Sequence, residues 1–364
     1  MLSTINQSEG VDREDYEISI PSSIEQVTAD WLTDALSRDD PGLAVGSANL
    51  IEYVHGASTK ARIEIGTNRS GYPKTVIVKA GFEAHSDVLR DMHRNEMHAY
   101  RDLIPTFDVN APRCLFAGQD AAGMALVILE DLDLRNAKFL TLQQPLSFDL
   151  AAGFLDGLAR FHARWWAAPD LASRFRWAAD THAMRQSHYF DILLDPQAFA
   201  EYVAAPRGAA MPQLLLDPER ISHGHALLAK AHDRMAHTML HGDAHLGNLY
   251  TDADGTPAFL DWQPRRGPWV LDVTYFMTAS LDVVDRRHWE TALLQHYLTR
   301  LAAYGVAAPS FDEAFDAYRR DAIWGLLIWM LNGSNFQSES NNTAAATRFA
   351  MAMIDHDTFD RLGV

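Results

Sequence analysis

Up to about residue 130 the chain is written in short β-branched runs, and from about Leu150 it is written almost wholly at helical spacing. Leu50–Val54, Ala61–Ile65 and Thr75–Lys79 read as strands, with Asn68, Arg69, Ser70 and Gly71 as the turn between the last two. Cys114–Ala117 and Met124–Leu129 read as two more. Between these groups, residues 86–104 read as one helix, because Val88, Leu89, Met92, Glu96, Tyr100 and Leu103 fall near one stripe. Ahead of the strands, Ser22 and Glu25 form a capping-box pattern, and Ile24, Val27, Trp31, Leu32 and Ala35 share a helical face. Beyond Leu150 the helical stretches are 148–166, 223–238, 287–304, 311–331 and 342–359, interrupted by short strands at Leu249–Tyr250 and Ala258–Leu260.

Segregated strands and helices define an α+β plan: an antiparallel five-stranded N-terminal lobe over residues 1–132, led by a helix, and a mostly helical C-terminal lobe over 133–364. The 364 residues suffice for two such units, and a ligand belongs in the cleft between them. The most apolar run, Ala322–Leu331, is too short to cross a bilayer and reads as a buried core helix, so no membrane span is expected. The first residues lack the basic and apolar regions of a signal peptide, and the single Cys114 excludes an intrachain disulfide; a cytoplasmic protein is expected. A formal charge of -17 argues against a nucleic-acid partner. Ten acidic and two basic side chains fall in residues 1–40, which reads as a solvated acidic arm.

The chemistry is concentrated in Leu240–Trp262, LHGDAHLGNLYTDADGTPAFLDW. Asp243 is followed five residues later by Asn248 and thirteen after that by Asp261, with a hairpin turn at Asp254 and Gly255 between two apolar strands. A loop carrying a carboxylate and an amide, and a hairpin returning a second carboxylate, gathers hard oxygen ligands suited to Mg²⁺ and leaves one carboxylate for an acceptor hydroxyl. In phosphoryl transfer, Asp243 would take or orient the hydroxyl proton, Asn248 and Asp261 would hold the metal, and His241 would anchor the loop.

HGDAHLGN with a following LDW resembles the catalytic loop and metal-binding strand of the aminoglycoside phosphotransferase and choline kinase superfamily, whose fold is protein-kinase-like. Gly242 and Trp262-Gln263 stand where protein kinases carry an Arg and a Phe-Gly, which points to a small-molecule kinase. The resemblance implies that Lys79, in TVIVK, binds nucleotide phosphates and pairs with Glu96, that backbone groups around Glu130 and Leu132 hold the adenine, and that Gly56, Ser58 and Thr59 form a loop over the phosphates. It implies ATP or GTP with Mg²⁺ as cofactors and a small-molecule alcohol as acceptor. His162 reads as a core histidine and Asp272 as a helix cap or a brace for the loop. The tail, with HWETALLQHYLTRLAAYGV, is similar to the ecdysteroid-kinase-like and bacterial phosphotransferase branch. Two alternatives stand beside this: a catalytically inactive nucleotide-binding homologue, and a metal-dependent hydrolase built on the six histidines between His223 and His245.

Overall fold

The computed structural model describes residues 18–83, 86–181, 194–334 and 336–364. Of the acidic arm, Glu9, Asp12, Glu14, Asp15 and Glu17 lie outside the described residues, as does the side chain of Val88. The N-terminal lobe is a five-stranded antiparallel sheet of β1 (Val45–Val54), β2 (Thr59–Thr67), β3 (Thr75–Ala80), β4 (Cys114–Gln119) and β5 (Ala125–Glu130), in the order β1-β2-β3-β5-β4.

Period-two alternation decides what each face of this sheet does. Ala61, Ile63, Val76, Val78, Leu126 and Ile128 pack into one core with Leu32 and Leu36 of helix α1 (Ala29–Leu36). Each of those leucines contributes about 1.5–3 kcal/mol by leaving water. The intervening residues Lys60, Arg62, Ile77, Lys79 and Leu129 therefore face away from α1, toward the helical lobe. Helix α2 (Arg90–His98) covers part of that second face, continuing into a π-helical turn over Ala99–Leu103, so the single helix expected over 86–104 is observed in several pieces. Its Met97, with Tyr100 and Leu103 of the turn, belongs to the same core as the helical lobe.

The expected cap at Ser22 and Glu25 is not what starts α1. The Ser22 amide and hydroxyl both donate to Gln26, and the chain turns out of a short 3₁₀ segment at Val27. Thr28, extended, then accepts from the Trp31 amide and caps the helix.

The C-terminal part is mostly helical, with α3 (Phe148–Trp165), α4 (Pro218–His232), α5 (Val270–Ser280), α6 (Val283–Ala303), α7 (Phe311–Met330) and α8 (Glu339–Asp355) as its longer helices. Every residue of α5 is buried, which makes it the central helix. Helix α4 begins earlier than expected, at Asp217, whose carboxylate accepts from Glu219 and Arg220, with Pro218 in the first turn. It also ends earlier, because His237–Leu240 forms a strand, β7, against β10 (Arg265–Pro268). A second small sheet sets β8 (Leu249–Thr251) between β6 (Lys138–Phe139) and β9 (Pro257–Phe259). No described helix is long and apolar enough to cross a membrane.

Candidate active site

Strand β7 delivers the loop that follows it, and β8–β9 returns the chain beside that loop. Leu249 pairs with Phe259, the Leu260 amide donates to the Asn248 carbonyl at 3.0 Å, and the Gln263 amide donates to the His241 carbonyl at 2.9 Å. Asp261 is thereby held next to the 241–248 loop by backbone bonds on both sides, with a left-handed φ of +53°. The loop itself is braced from beneath. Asp272, in the first turn of α5, accepts from the His241 amide at 2.6 Å and the Gly242 amide at 3.0 Å, and His162 of α3 lies 3.2 Å from the same carboxylate. Burial alone would raise the Asp272 carboxyl; His162, His241 and the Gly242 N–H outweigh it and hold it below the ordinary range. Of the two roles the sequence left open for Asp272, the brace is the one observed.

Within the loop, His241 Nδ1 accepts from the Asp243 amide at 3.2 Å, so Nε2 carries the proton and donates to the Leu260 carbonyl at 3.2 Å. Burial lowers the His241 pKa, in keeping with this neutral tautomer. Asn248 Nδ2 donates to the Asp243 carbonyl at 3.0 Å and to its Oδ2 at 2.9 Å, which fixes the carboxylate and leaves Asn248 Oδ1 as the amide's acceptor. His245 Nδ1 accepts from the Gly247 amide, placing Nε2 3.7 Å from Asp243 Oδ2. The Tyr275 hydroxyl is pushed well above its usual pKa by burial and then by the Asp243 charge beside it. Asp243 itself remains about one-third exposed.

The opposite wall comes from the sheet. Lys79 Nζ binds Glu96 of α2 and lies 2.5 Å from Asp261 Oδ1, while Lys60 Nζ lies 3.0 Å from Asp261 Oδ2. Lys79 and Glu96 are each about 5% exposed. Burial would lower the Lys79 pKa, but the Asp261 and Glu96 charges raise it above the ordinary value. For Asp261 burial acts upward, and Lys60 and Lys79 together hold the carboxyl well below its usual range. Burial leaves the Glu96 carboxyl raised, against the pull of Lys79. A cavity of about 230 Å³ opens above these groups, with Val54, Ile77, Leu129, Leu132 and Leu260 as apolar walls and Lys60, Lys79 and Asp261 at one end.

Lys79 and Asp261 line this cavity, Glu96 is bound to Lys79, and Asp243, His241 and Asn248 lie in the loop bonded beside Asp261. Glu130 and Leu132 line the same cavity, and the Glu130 carboxylate accepts from the Arg113 amide and Arg135. Gly56 and Ser58 lie in the β1–β2 connection. Thr59 points the other way: it is fully buried and its hydroxyl donates to Glu83 at 3.2 Å. Glu83 also accepts from Tyr53, lies 2.7 Å from His55, and so ties the loop down. Sequence reasoning missed Lys60, although the alternation of Thr59, Ala61 and Ile63 already put it on the face of Lys79. It also missed Tyr275, which no local pattern marks.

The six histidines do not converge. His225 meets the Ile323 carbonyl, His232 pairs with Asp321, His237 meets the His232 carbonyl, and His223 is exposed, while His241 and His245 serve the loop. Among the described residues no three His, Cys, Asp or Glu side chains form a ready-made metal cluster. The donors that fit a hard cation are the Asp261 carboxylate, whose two oxygens are each met by an ammonium nitrogen standing where a cation's charge would act, and the Asn248 amide oxygen.

A two-lobed arrangement with a lysine on β3, a glutamate on the covering helix and a braced acidic loop is the protein-kinase-like fold. The family model for the ecdysteroid kinase-like family matches residues 55–305, and the chain belongs to that family. Among solved structures, the GDP and kanamycin complex of APH(2")-IIIa is 11% identical, with 89% of this chain and 98% of that chain covered and a TM-score of 0.51. The choline kinase LicA from Streptococcus pneumoniae is 13% identical over 88% of this chain and 97% of its own, with a TM-score of 0.46. A microcompartment-associated aminopropanol kinase is 14% identical over 86% and 94%, with a TM-score of 0.44. No curated protein sequence is significantly similar to the chain.

Proposed function

We propose that the protein is an ATP-dependent phosphotransferase that moves the γ-phosphate to a hydroxyl of a small molecule, with GTP as the alternative donor. The observation that carries this reading is the buried Lys79, bound at once to Glu96 and to Asp261, with Asp261 held by backbone bonds beside the loop in which Asn248 fixes Asp243. A fixed ammonium beside a carboxylate that is kept ionised suits a polyphosphate and its cation. Mg²⁺, when bound, would neutralise the phosphate charge, with Asp261 and Asn248 Oδ1 as its protein ligands and phosphate and water supplying the remaining oxygens.

The chain's own residues then divide the work. Val54, Ile77, Leu129, Leu132 and Leu260 sandwich the base, with backbone groups around Glu130 and Leu132 along its edge. Lys79, held by Glu96, binds the phosphates nearest the nucleoside. Asp243 orients the acceptor hydroxyl and takes its proton as the new bond forms between the acceptor oxygen and the γ-phosphorus and the bond from that phosphorus to the β–γ bridging oxygen breaks. His241 positions Asp243 by accepting its amide proton. In this scheme residues 1–132 form the nucleotide lobe and 133–364 carry the acid loop and acceptor site, and the enzyme works in the cytoplasm. The relatives named above are described as binding GDP and kanamycin or as kinases of choline and aminopropanol, which supports testing amino alcohols and aminoglycosides first.

The test is incubation with Mg²⁺-ATP or Mg²⁺-GTP and a panel of amino alcohols, aminoglycosides, macrolides and sterols, with the phosphorylated product scored by mass. Asp243→Asn should lower kcat by on the order of 10²-fold or more while leaving nucleotide affinity within a factor of about three. A native protein that binds no nucleotide and yields no product refutes the reading, and unchanged turnover in Asp243→Asn removes Asp243 from its role.

A further inference from the structure

The β2–β3 register sets Lys60 directly opposite Lys79, two like charges on the same face of the sheet. Such a pair is destabilising unless an anion lies between them. Here the anion is Asp261, which gives Oδ1 to Lys79 and Oδ2 to Lys60. The two lysines differ in how firmly they are held. Lys79 is about 5% exposed and has Glu96 as a second partner; Lys60 is 43% exposed, and among the described residues Asp261 is its sole side-chain partner. Lys60 also follows a connection that is pinned: Glu83 accepts from Tyr53 and Thr59, and His93 Nε2 lies 2.9 Å from the Ala57 carbonyl.

A cation that takes up Asp261 removes the carboxylate oxygen that Lys60 holds. The two ammonium groups are then left side by side at one end of the cavity with Glu96 as the remaining negative charge, and a polyphosphate supplies the anionic oxygens that such a pair takes. We propose that Lys60, paired with Asp261 in the structure, is a second phosphate-binding ammonium that moves to the terminal phosphates of a nucleoside triphosphate when its cation occupies Asp261. This rests on the phosphotransferase reading and adds a residue and a motion to it. Lys60 does not touch the base, so its contribution grows with the number of phosphates.

Calorimetric binding of AMP, ADP and ATP with Mg²⁺ to the native full-length protein, Lys60→Gln and Lys60→Arg tests this without relying on turnover. The expected result is a loss of about tenfold in ATP affinity for Lys60→Gln, the value of one charged contact of about 1.4 kcal/mol, with AMP affinity within twofold of native and with Lys60→Arg restoring most of the ATP affinity. Equal losses for AMP and ATP, or no loss for ATP, overturn the proposal while native ATP binding leaves the phosphotransferase reading standing. A native protein that binds none of the three nucleotides removes that reading, and the role of Lys60 with it.

Discussion

Asp272→Asn isolates the brace beneath the acid loop. The carboxylate receives amide protons from His241 at 2.6 Å and Gly242 at 3.0 Å and faces His162 at 3.2 Å, all in a setting where Asp272 is about 3% exposed. Hydrogen bonds to a charged group contribute about 1.5–3 kcal/mol each. An asparagine offers a single acceptor oxygen. If that oxygen keeps the His241 and His162 contacts, its NH₂ meets the Gly242 N–H donor to donor, so one charged bond is lost and the others weaken. The total is about 3 kcal/mol. With an unfolding entropy of about 2.1 cal/mol/K per residue over 364 residues, this lowers Tm by about 4 °C. The loop shifts by a fraction of an ångström to relieve the N–H contact, and a misplacement approaching 1 Å costs about 10²-fold in rate. Scanning calorimetry and steady-state kinetics should therefore show a modest loss of Tm, a kcat lower by 10- to 100-fold, and a KM for nucleotide within threefold of native. A variant with native Tm and native kcat refutes the brace; a KM that rises as much as kcat falls shows that the damage is not confined to the loop.

Glu96→Gln leaves Lys79 with Asp261 as its sole carboxylate, so the lysine competes harder with a cation there; the Mg²⁺ concentration for half-maximal activity should rise by about tenfold, and an unchanged metal titration contradicts this. Gly242 has φ of +85°, and a Cβ there would sit 1.9 Å from the Gln263 carbonyl oxygen, so Gly242→Ala should destabilise by about 3 kcal/mol in urea titrations; a loss below about 1 kcal/mol means the loop relaxes easily. His241 and His245 are buried and their pKa values are lowered by that burial. The unfolded chain therefore binds protons that the folded one refuses: stability is full above the ordinary histidine value of about 6.5 and falls as pH drops below it, by at most about 2.5 kcal/mol for the pair between pH 7 and 5.5. Urea midpoints that do not move over that range contradict the neutral, buried assignment.

The acid loop was legible because its parts are local. Asp243, Asn248 and Asp261 fall within a single loop and hairpin whose turn is marked by Asp254 and Gly255, and backbone pairing alone brings the ends together. The strands β1 to β3 and the β4–β5 pair were legible for the same reason, short turns separating them, whereas the β3–β5 pairing spans the helix between them. What escaped was long-range or ambiguous in period. His162, Tyr297 and Asp272 meet across separations of 110 and 135 residues, from helices whose sequence says nothing of their neighbours. His237 and Thr238, the first half of β7, fall within the helix expected over 223–238, since so short a strand carries no period of its own. Ser22 and Glu25 have the residues of a capping box, yet Val27 breaks the helix they would begin and Thr28 caps the one that forms.

The two walls of the cleft are built differently, and the difference bears on how the site works. On the helical side, the 241–248 loop and the adjoining Asp261 are set by the His241 and Gly242 amides donating to the Asp272 carboxylate and by the Leu260 and Gln263 amides donating to the Asn248 and His241 carbonyls. Helix α2 belongs to this side as well. Its Met97 lies in the helical core, Asn95 donates to the Pro264 carbonyl at 2.9 Å, and Glu96 is carried with it. The sheet meets this rigid body at the cleft through Lys60 and Lys79, whose partners are the charges of Asp261 and Glu96. The contact is not one of charge alone, since Ala125, Val127 and Leu129 of β5 lie in the same apolar core as Met97 and the C-terminal helices. In the proposed reaction, exchanging the Asp261 carboxylate for phosphate oxygens at Lys60 and Lys79 would leave that apolar seam, and with it the seating of the sheet on α2, in place.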